Sequence, residues 1–443
     1  MKAKRPASEF LEVMRDGTVK MVNPLTGRRA WYVPGRGLRP ITNAPEPAPI
    51  AASRREVEAG CDFCEANYLR TPPEKERLVF RNGSLHSLAE APASALSQTA
   101  AEFRRVANLF EVVPYEYWVQ NHGFRLPAAC ARHMEAYLSE GAGRRHVSDL
   151  VRTKLELTGR SGKEAGALPE GERRRLAEAL FGGSHDLIVA RRHTRGGEGD
   201  DAHPAGSGDL GQAEHHAYLE FTIRAVRDIF SRNPHVRYVT TFQNWLHAAG
   251  ASFDHLHKQL VGFDGWGPLV EEEARAVRAN PRVYLDEVVG LAARQGRVLA
   301  ENDHAVLLVD LGHRHPTLAI YSKSRNLRPW EQTEEEIRGF SDLLHAAHRA
   351  QGSELPGNED WIYAPPGCRE RIPWHLWLRW RVNNPSGFEG DTEIYIHPVS
   401  PRQMREILLP RLADLQAKEG LKGFRIVQEN GVPESSLRYL EGA

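Results

Sequence analysis

Apolar residues recur along the chain with two periods. In residues 214–230, Tyr218, Phe221, Ile223, Val226, Ile229 and Phe230 keep the three-to-four spacing of a buried helix face, which predicts a long amphipathic helix. Short apolar runs bounded by polar residues predict strands over 29–33, 186–190, 238–244 and 257–261. A second series follows in a related order: strands over 305–309 and 317–321, a helix over 333–350, strands over 361–363 and 374–378, and a last helix over 401–416. Elsewhere the pattern predicts a helix over 91–110, an extended segment over 112–119 and a polar loop over 198–209. Residues 128–180, with Leu138, Val147, Leu150, Leu155, Leu176 and Leu180 among many charges, predict helices broken by a Gly-containing stretch.

The two series predict an α+β chain of two similar halves, 1–262 and 263–443, joined through a helical region over 269–295. The helical stretch over about 113–180 is set into the first half as an insertion.

Composition narrows the partners. The 443 residues carry 58 Lys plus Arg against 58 Asp plus Glu, so no net charge draws the protein to a polyanion or an anionic lipid surface. Nucleic acid is not expected as a partner, nor is a membrane, since no run reaches the roughly 20 apolar residues of a span. A cytoplasmic protein is expected. Its four cysteines, Cys61 and Cys64 as a close pair with Cys130 and Cys368 alone, are too few to staple a secreted fold of this size. The pair has the spacing of half a tetrahedral metal site; reduced thiols without metal are the alternative.

The densest chemistry lies at Asp254-His255-Leu256-His257-Lys258-Gln259. On a strand, residues two apart share a face, which places His255, His257 and Gln259 together. One imidazole could be held by a metal or hydrogen bond while the other attacks phosphorus, and the Gln259 amide can donate to a phosphate oxygen. By spacing alone, two ordinary strand histidines account for the pattern equally well.

These residues, with Phe242-Gln243-Asn244 and Gly250-Ala251-Ser252 before them, resemble the signature of galactose-1-phosphate uridylyltransferases, members of the histidine triad superfamily. Asn23-Pro24-Leu25-Thr26-Gly27 with Pro34-Gly35-Arg36 and Arg39-Pro40 is similar to that family's opening, Cys61-Asp62-Phe63-Cys64 to its zinc pair, and Arg105 to Phe110 to its nucleotide-contacting segment. His185-Asp186-Leu187-Ile188-Val189 leading to His193 resembles the strand that ends in a zinc histidine. Gly387-Phe388-Glu389, Tyr395 to Pro401 and Trp374-His375 are similar to the second-half signature.

The resemblance implies two histidine-triad-like halves forming an antiparallel sheet with flanking helices, and a nucleotidyltransferase. It makes His257 the covalent nucleophile and Gln259 its phosphate-directed partner; an amide cannot titrate, which favours transfer or phosphorolysis over hydrolysis. It implies a structural zinc on Cys61, Cys64, His193 and His255, with His203 as the competitor of His193. Arg36, Arg39, Asn108, Asn244, Ser252 and Glu389 are the candidate substrate contacts. Nucleotide-sugar and sugar-phosphate substrates and a homodimer are also implied. His375 is expected to be a degenerate counterpart of the catalytic histidine, His313-Arg314-His315 a turn, and Trp374, Trp377 and Trp380 core residues more readily than a base-stacking surface. No second metal is expected around Leu378-Arg379-Trp380-Arg381. The sequence departs from the family at Leu256 and Lys258, where proline and glycine are common, and at Asp254, where a neutral residue is usual.

Overall fold

The computed structural model describes residues 9–36, 53–160, 168–195, 202–384, 386–427 and 436–441. The strands in chain order are β1 (Leu11–Val13), β2 (Val19–Val22), β3 (Arg29–Tyr32), β4 (Glu74–Arg81), β5 (Ser84–Ala89), β6 (Ala101–Ala107), β7 (His185–Ala190), β8 (Thr194–Arg195), β9 (His203–Pro204), β10 (Tyr238–Trp245), β11 (His257–Phe263), β12 (Val298–Glu301), β13 (Ala305–Val309), β14 (Thr317–Ser322), β15 (Gly357–Ile362), β16 (His375–Trp380), β17 (Ile394–His397) and β18 (Arg425–Ile426).

Twelve of these form one antiparallel sheet in the order β18-β12-β13-β14-β16-β15-β10-β11-β7-β6-β4-β5. Strands that precede residue 264 occupy one side and later strands the other; they meet where Phe242 to Trp245 of β10 pair with Gly357 to Asp360 of β15. A smaller sheet, β1-β2-β3-β17, ties the start of the chain to its second half, with β17 parallel to β3. β8 and β9 form a separate two-stranded ribbon.

Helices Gln212–Arg232 and Glu334–Gln351 cover one face of the large sheet, each at the matching place beside the seam. Tyr218 stacks on Phe103 at 4.9 Å and Phe340 on Trp374 at 3.8 Å, so the apolar stripes of both helices are spent on the sheet. The opposite face is more open. Along β10, Val239, Thr241, Gln243 and Trp245 are buried whereas Thr240, Phe242 and Asn244 are half-buried, the alternation of a strand with one covered side. Trp374, Trp377 and Trp380 are all buried and belong to the core.

Helices Tyr115–His122, Ala128–Ser139, Gly141–Leu157 and Glu170–Gly182 stand between β6 and β7 as the inserted subdomain, with Tyr137, Val147, Leu150 and Phe181 in a core of their own. Among the described residues no helix is long and apolar enough to cross a membrane.

Two expectations from periodicity are corrected here. The helix expected over 91–110 is a short 3-10 turn, Ala93–Gln98, followed by β6. Arg104 and Arg105 resemble the wet face of a helix, but both are buried, Arg104 against Glu74 at 3.2 Å and Arg105 against Asp186 and Asp228 at 2.6 Å each. Paired charges inside a sheet erase the polar alternation that marks a strand. The segment 112–119, expected to be extended, becomes helical from Tyr115, because Pro114 takes the N-cap and Tyr115 and Trp118, three apart, bury one helix face.

Burial also lowers several histidines: His133 and His397 are held down to about 4 and His315 to about 3, from an ordinary 6.5. The unfolded chain therefore binds protons that the native state refuses between about pH 6.5 and pH 4. Stability should be fully present above that window and fall on acidification through it, read as a declining urea midpoint from pH 7 to pH 4.

Candidate active site and metal centre

The chain reaches the site through a tight turn. β10 ends at Trp245, Gly250 takes a left-handed conformation at φ 89°, and β11 begins at His257. His255 thus lies in the bend before the strand, a correction to the expectation that both rings leave one strand face. The ladder stops there because the Ala190 carbonyl accepts from the His255 ring at 2.6 Å, while the Ala190 amide donates to the Leu256 carbonyl at 3.0 Å.

That ring contact sets the geometry of a candidate metal-ligand cluster. With Nε2–H donating to Ala190, Nδ1 of His255 carries a free lone pair. It lies 3.5 Å from the Cys61 sulfur and 3.7 Å from the Cys64 sulfur, and His193 Nδ1 lies 3.2 Å from Cys64. All four ligand atoms are within 4.8 Å of one another and all four residues are buried. A tetrahedron of two sulfurs and two imidazole nitrogens around one dication has S···N edges of about 3.6 Å. The residues therefore fit such an ion. The Cys61–Cys64 turn is held by Asn67, which donates to the Cys61 carbonyl at 2.8 Å. His203, exposed on β9, lies outside the cluster.

His257 is oriented by the same economy. Its Nδ1–H donates to the His255 carbonyl at 2.7 Å, and a carbonyl can only accept, so Nε2 keeps its lone pair. The ring is 4 % exposed and sits edge-on to Phe63 at 5.1 Å. Burial holds the imidazole down to about 4, so it is neutral and nucleophilic at ordinary pH.

Gln259, two residues on, is half-buried on the more open face opposite Phe242. Its Oε1 meets His185 Nε2 at 3.1 Å, and Asn108 Nδ2 lies 3.1 Å from the same ring nitrogen. Asn244 supports the turn: its amide donates to the Gly250 carbonyl at 3.2 Å, and its oxygen accepts from Asn358 of β15 at 2.7 Å. Ser252 is exposed on the turn. Glu389 is buried at the start of helix Gly387–Thr392, where its two oxygens accept from the Ser386 amide and, at 2.8 Å, the Ile396 amide. Each oxygen thus has a backbone donor, and the side chain ties the start of this helix to β17. Arg36 is exposed at the end of the described N-terminal segment, its amide donating to the Val33 carbonyl at 3.1 Å; Arg39 lies outside the described residues.

The second half repeats the pose without the chemistry. His375 opens β16 as His257 opens β11, and its Nδ1 donates to the Pro373 carbonyl at 2.9 Å. It is sealed in, with Nε2 3.4 Å from Glu273 and its ring stacked on Tyr321 at 4.7 Å. His313, in the turn after β13, bonds Asp310 at 2.9 Å.

Three features escape a reading by motif. Lys258 points away from the site to the helix-covered face, where its Nζ meets Glu359 of β15 at 2.5 Å and Gln243 at 3.2 Å. His185 reaches Gln259, and Phe63 reaches His257, only through strand register and loop packing. No local spacing signals either contact.

The fold and this site define a class. Two solved structures match over nearly their whole length: an ADP-glucose phosphorylase from Arabidopsis thaliana with bound ADP-glucose (17% identity, TM-score 0.55, 88% of this chain and 98% of that one) and a GalT-like protein from Arabidopsis thaliana (16% identity, TM-score 0.55, the same coverage). A uridylyltransferase mutant aligns over less, 52% of this chain and 78% of that one, at 18% identity and TM-score 0.43. The chain has the fold of the GalT-like proteins. No curated protein matches it in sequence. A family model described as a domain of unknown function, DUF4921, matches residues 14–439, and the chain belongs to that family.

Proposed function

We propose that the protein is a nucleotidyltransferase that moves a nucleoside monophosphate from a nucleoside diphosphate sugar to a sugar 1-phosphate through a nucleotidyl-His257 intermediate. The observation that carries this reading is the tautomer of His257, locked by the His255 carbonyl with Nε2 bare. In the first step that lone pair bonds the α-phosphorus as the bond to the bridging oxygen breaks, and the sugar phosphate leaves with the electron pair. The ring gains positive charge, which strengthens its Nδ1–H bond to the His255 carbonyl. In the second step an acceptor phosphate oxygen attacks, the N–P bond breaks, and the neutral ring returns. Gln259 cannot give up or take a proton, so it serves by donating to phosphoryl oxygens.

The cluster of Cys61, Cys64, His193 and His255 is proposed to hold a structural zinc: four protein donors fill the tetrahedron and leave no position for water or substrate. Bound zinc would pin the His255 bend from which the His257 hydrogen bond starts. Elemental analysis should find one zinc per chain, and Cys64→Ala should lose it together with thermal stability. Full zinc content in that variant would remove the assignment.

A second reading has inorganic phosphate as acceptor, which would make the protein a phosphorylase; it draws on the fold shared with an ADP-glucose phosphorylase along 98% of that chain. One experiment separates the readings. Nucleoside diphosphate sugars and dinucleoside polyphosphates labelled at the α-phosphate are incubated with the protein, which is then run on a denaturing gel. Label kept on the protein identifies the donor, and its release by hexose 1-phosphate or by inorganic phosphate identifies the acceptor. No label with any donor would exclude the covalent route.

A further inference from the structure

His185 is buried at 1 % exposure, yet its ring reaches the half-buried Gln259 amide. The Val112 backbone N–H donates to His185 Nδ1 at 3.1 Å. A backbone amide can only donate, so Nδ1 is bare and the ring proton sits on Nε2. That N–H faces Gln259 Oε1 at 3.1 Å. The Asn108 side-chain nitrogen, equally close to Nε2, is itself a donor, and the Asn108 oxygen already accepts from the Phe110 amide at 2.8 Å. Gln259 is therefore the acceptor that His185 finds, and the orientation of its carboxamide follows: oxygen toward His185, NH2 away from it.

We propose that His185 is a positioning residue, holding the Gln259 carboxamide so that its NH2 donates to the phosphoryl group received by His257. Strand pairing makes this geometry stiff. His185 lies opposite Val261 on β11, two residues beyond Gln259, and the Asn108 amide donates to the His185 carbonyl at 2.8 Å. Burial lowers His185 to about 4, which keeps the ring neutral with a single proton to place. The donated bond also polarises the Gln259 carbonyl and strengthens its NH2 as a donor. Val112, just ahead of helix Tyr115–His122, thereby links the inserted subdomain to the catalytic strand.

The inference rests on the proposed covalent reaction, and the test keeps the two apart. Asn in place of His185 has a polar atom near Nδ1 only; Gln has one near Nε2 only. His185→Asn should keep the Val112 bond, lose the Gln259 bond, and slow single-turnover labelling of His257 by about 10- to 100-fold. His185→Gln should restore the donor to Gln259 and recover labelling to within about threefold of wild type. A purely structural role anchored on Val112 predicts the opposite order, and that order would overturn the proposal. His185→Gln decides the matter even should His185→Asn fail to fold. In a Gln259→Ala background, His185→Asn should cost nothing further, whereas full additivity of the two losses also overturns it. An independent readout needs no turnover: the 15N side-chain amide signal of Gln259 should move in His185→Asn and stay near its wild-type position in His185→Gln. A wild-type protein that takes no label defeats the covalent reading, while the amide signal still reports whether His185 holds Gln259.

Discussion

His257→Gly is expected to abolish covalent labelling and to lower turnover by at least about a thousandfold, because it removes the nitrogen that bonds phosphorus in the proposed first step. The variant should keep the metal content of the wild type, since the cluster uses His255 and not His257. It should also keep its unfolding free energy, measured by urea titration, to within about 2 kcal/mol, the ring being buried but bonded to a single carbonyl. Gln259→Ala is a milder lesion: label should still form, about 10- to 100-fold more slowly, because phosphoryl oxygens lose one donor while the nucleophile is intact. Unaltered turnover in His257→Gly would exclude this residue as the nucleophile.

The second large effect concerns stability. Lys258→Met is expected to destabilise the protein by about 3–5 kcal/mol, because it strands the Glu359 carboxylate inside the sheet seam. Both side chains are fully buried, and Glu359 also accepts from Trp361 Nε1 at 2.6 Å and His348 Nε2 at 2.8 Å. Burial alone would raise this carboxyl, yet Lys258 and His348 together hold it down to about 2. Burial likewise pulls the Lys258 ammonium below its ordinary value, with Glu359 offsetting part of that. Replacing both partners, Lys258→Met with Glu359→Gln, should recover most of the loss, since no isolated charge is then left in the interior. Urea unfolding of the single and double variants measures this, and equal stability of Lys258→Met and wild type would mean that the pair does not bridge the halves.

The pair also gives a physical account of a departure from the family pattern. A glycine beside the nucleophile leaves the far face of the strand empty; here that face carries a lysine reaching into the other half of the sheet. Lys258 therefore bears on how the halves are joined, and its side chain points away from the face that carries Gln259. Leu256, at another departure, is buried in the core.

Much of the architecture was legible in the pattern of apolar positions. The helices around 212–232 and 334–351 and strand β10 each have one face more covered than the other, which a linear pattern records as a period, whereas β7, β13 and β14 are buried on both faces and show as short, mostly apolar runs. The fold class follows from two such series in the same order. The β4–β5 hairpin and β6 were not legible, because Lys75, Arg77, Arg104 and Arg105 look solvated in sequence and are buried in ion pairs with Asp186 and Glu74.

The candidate site divides along the same line. Cys61-x-x-Cys64 and His255-x-His257-x-Gln259 are local spacings, legible in the sequence, and the family resemblance of the segments around them is what marks them as chemistry. Which histidine joins the cysteines depends on where β7 ends and the chain turns, and the structure brings His193 there while His203 stays exposed. The different ring nitrogens that His255 and His257 leave bare are decided by two backbone carbonyls, those of Ala190 and His255, that no side-chain pattern encodes. Glu389 looks free in sequence and is spent on two amides. The sequence by itself determined the residue types, the two-half order and the run from Asp254 to Gln259. The tertiary structure decided which ring nitrogen each histidine leaves bare and which partner turns Gln259, because hydrogen bonds to backbone atoms brought close by the fold select tautomers and rotamers, and those partners exist only once the sheet has closed.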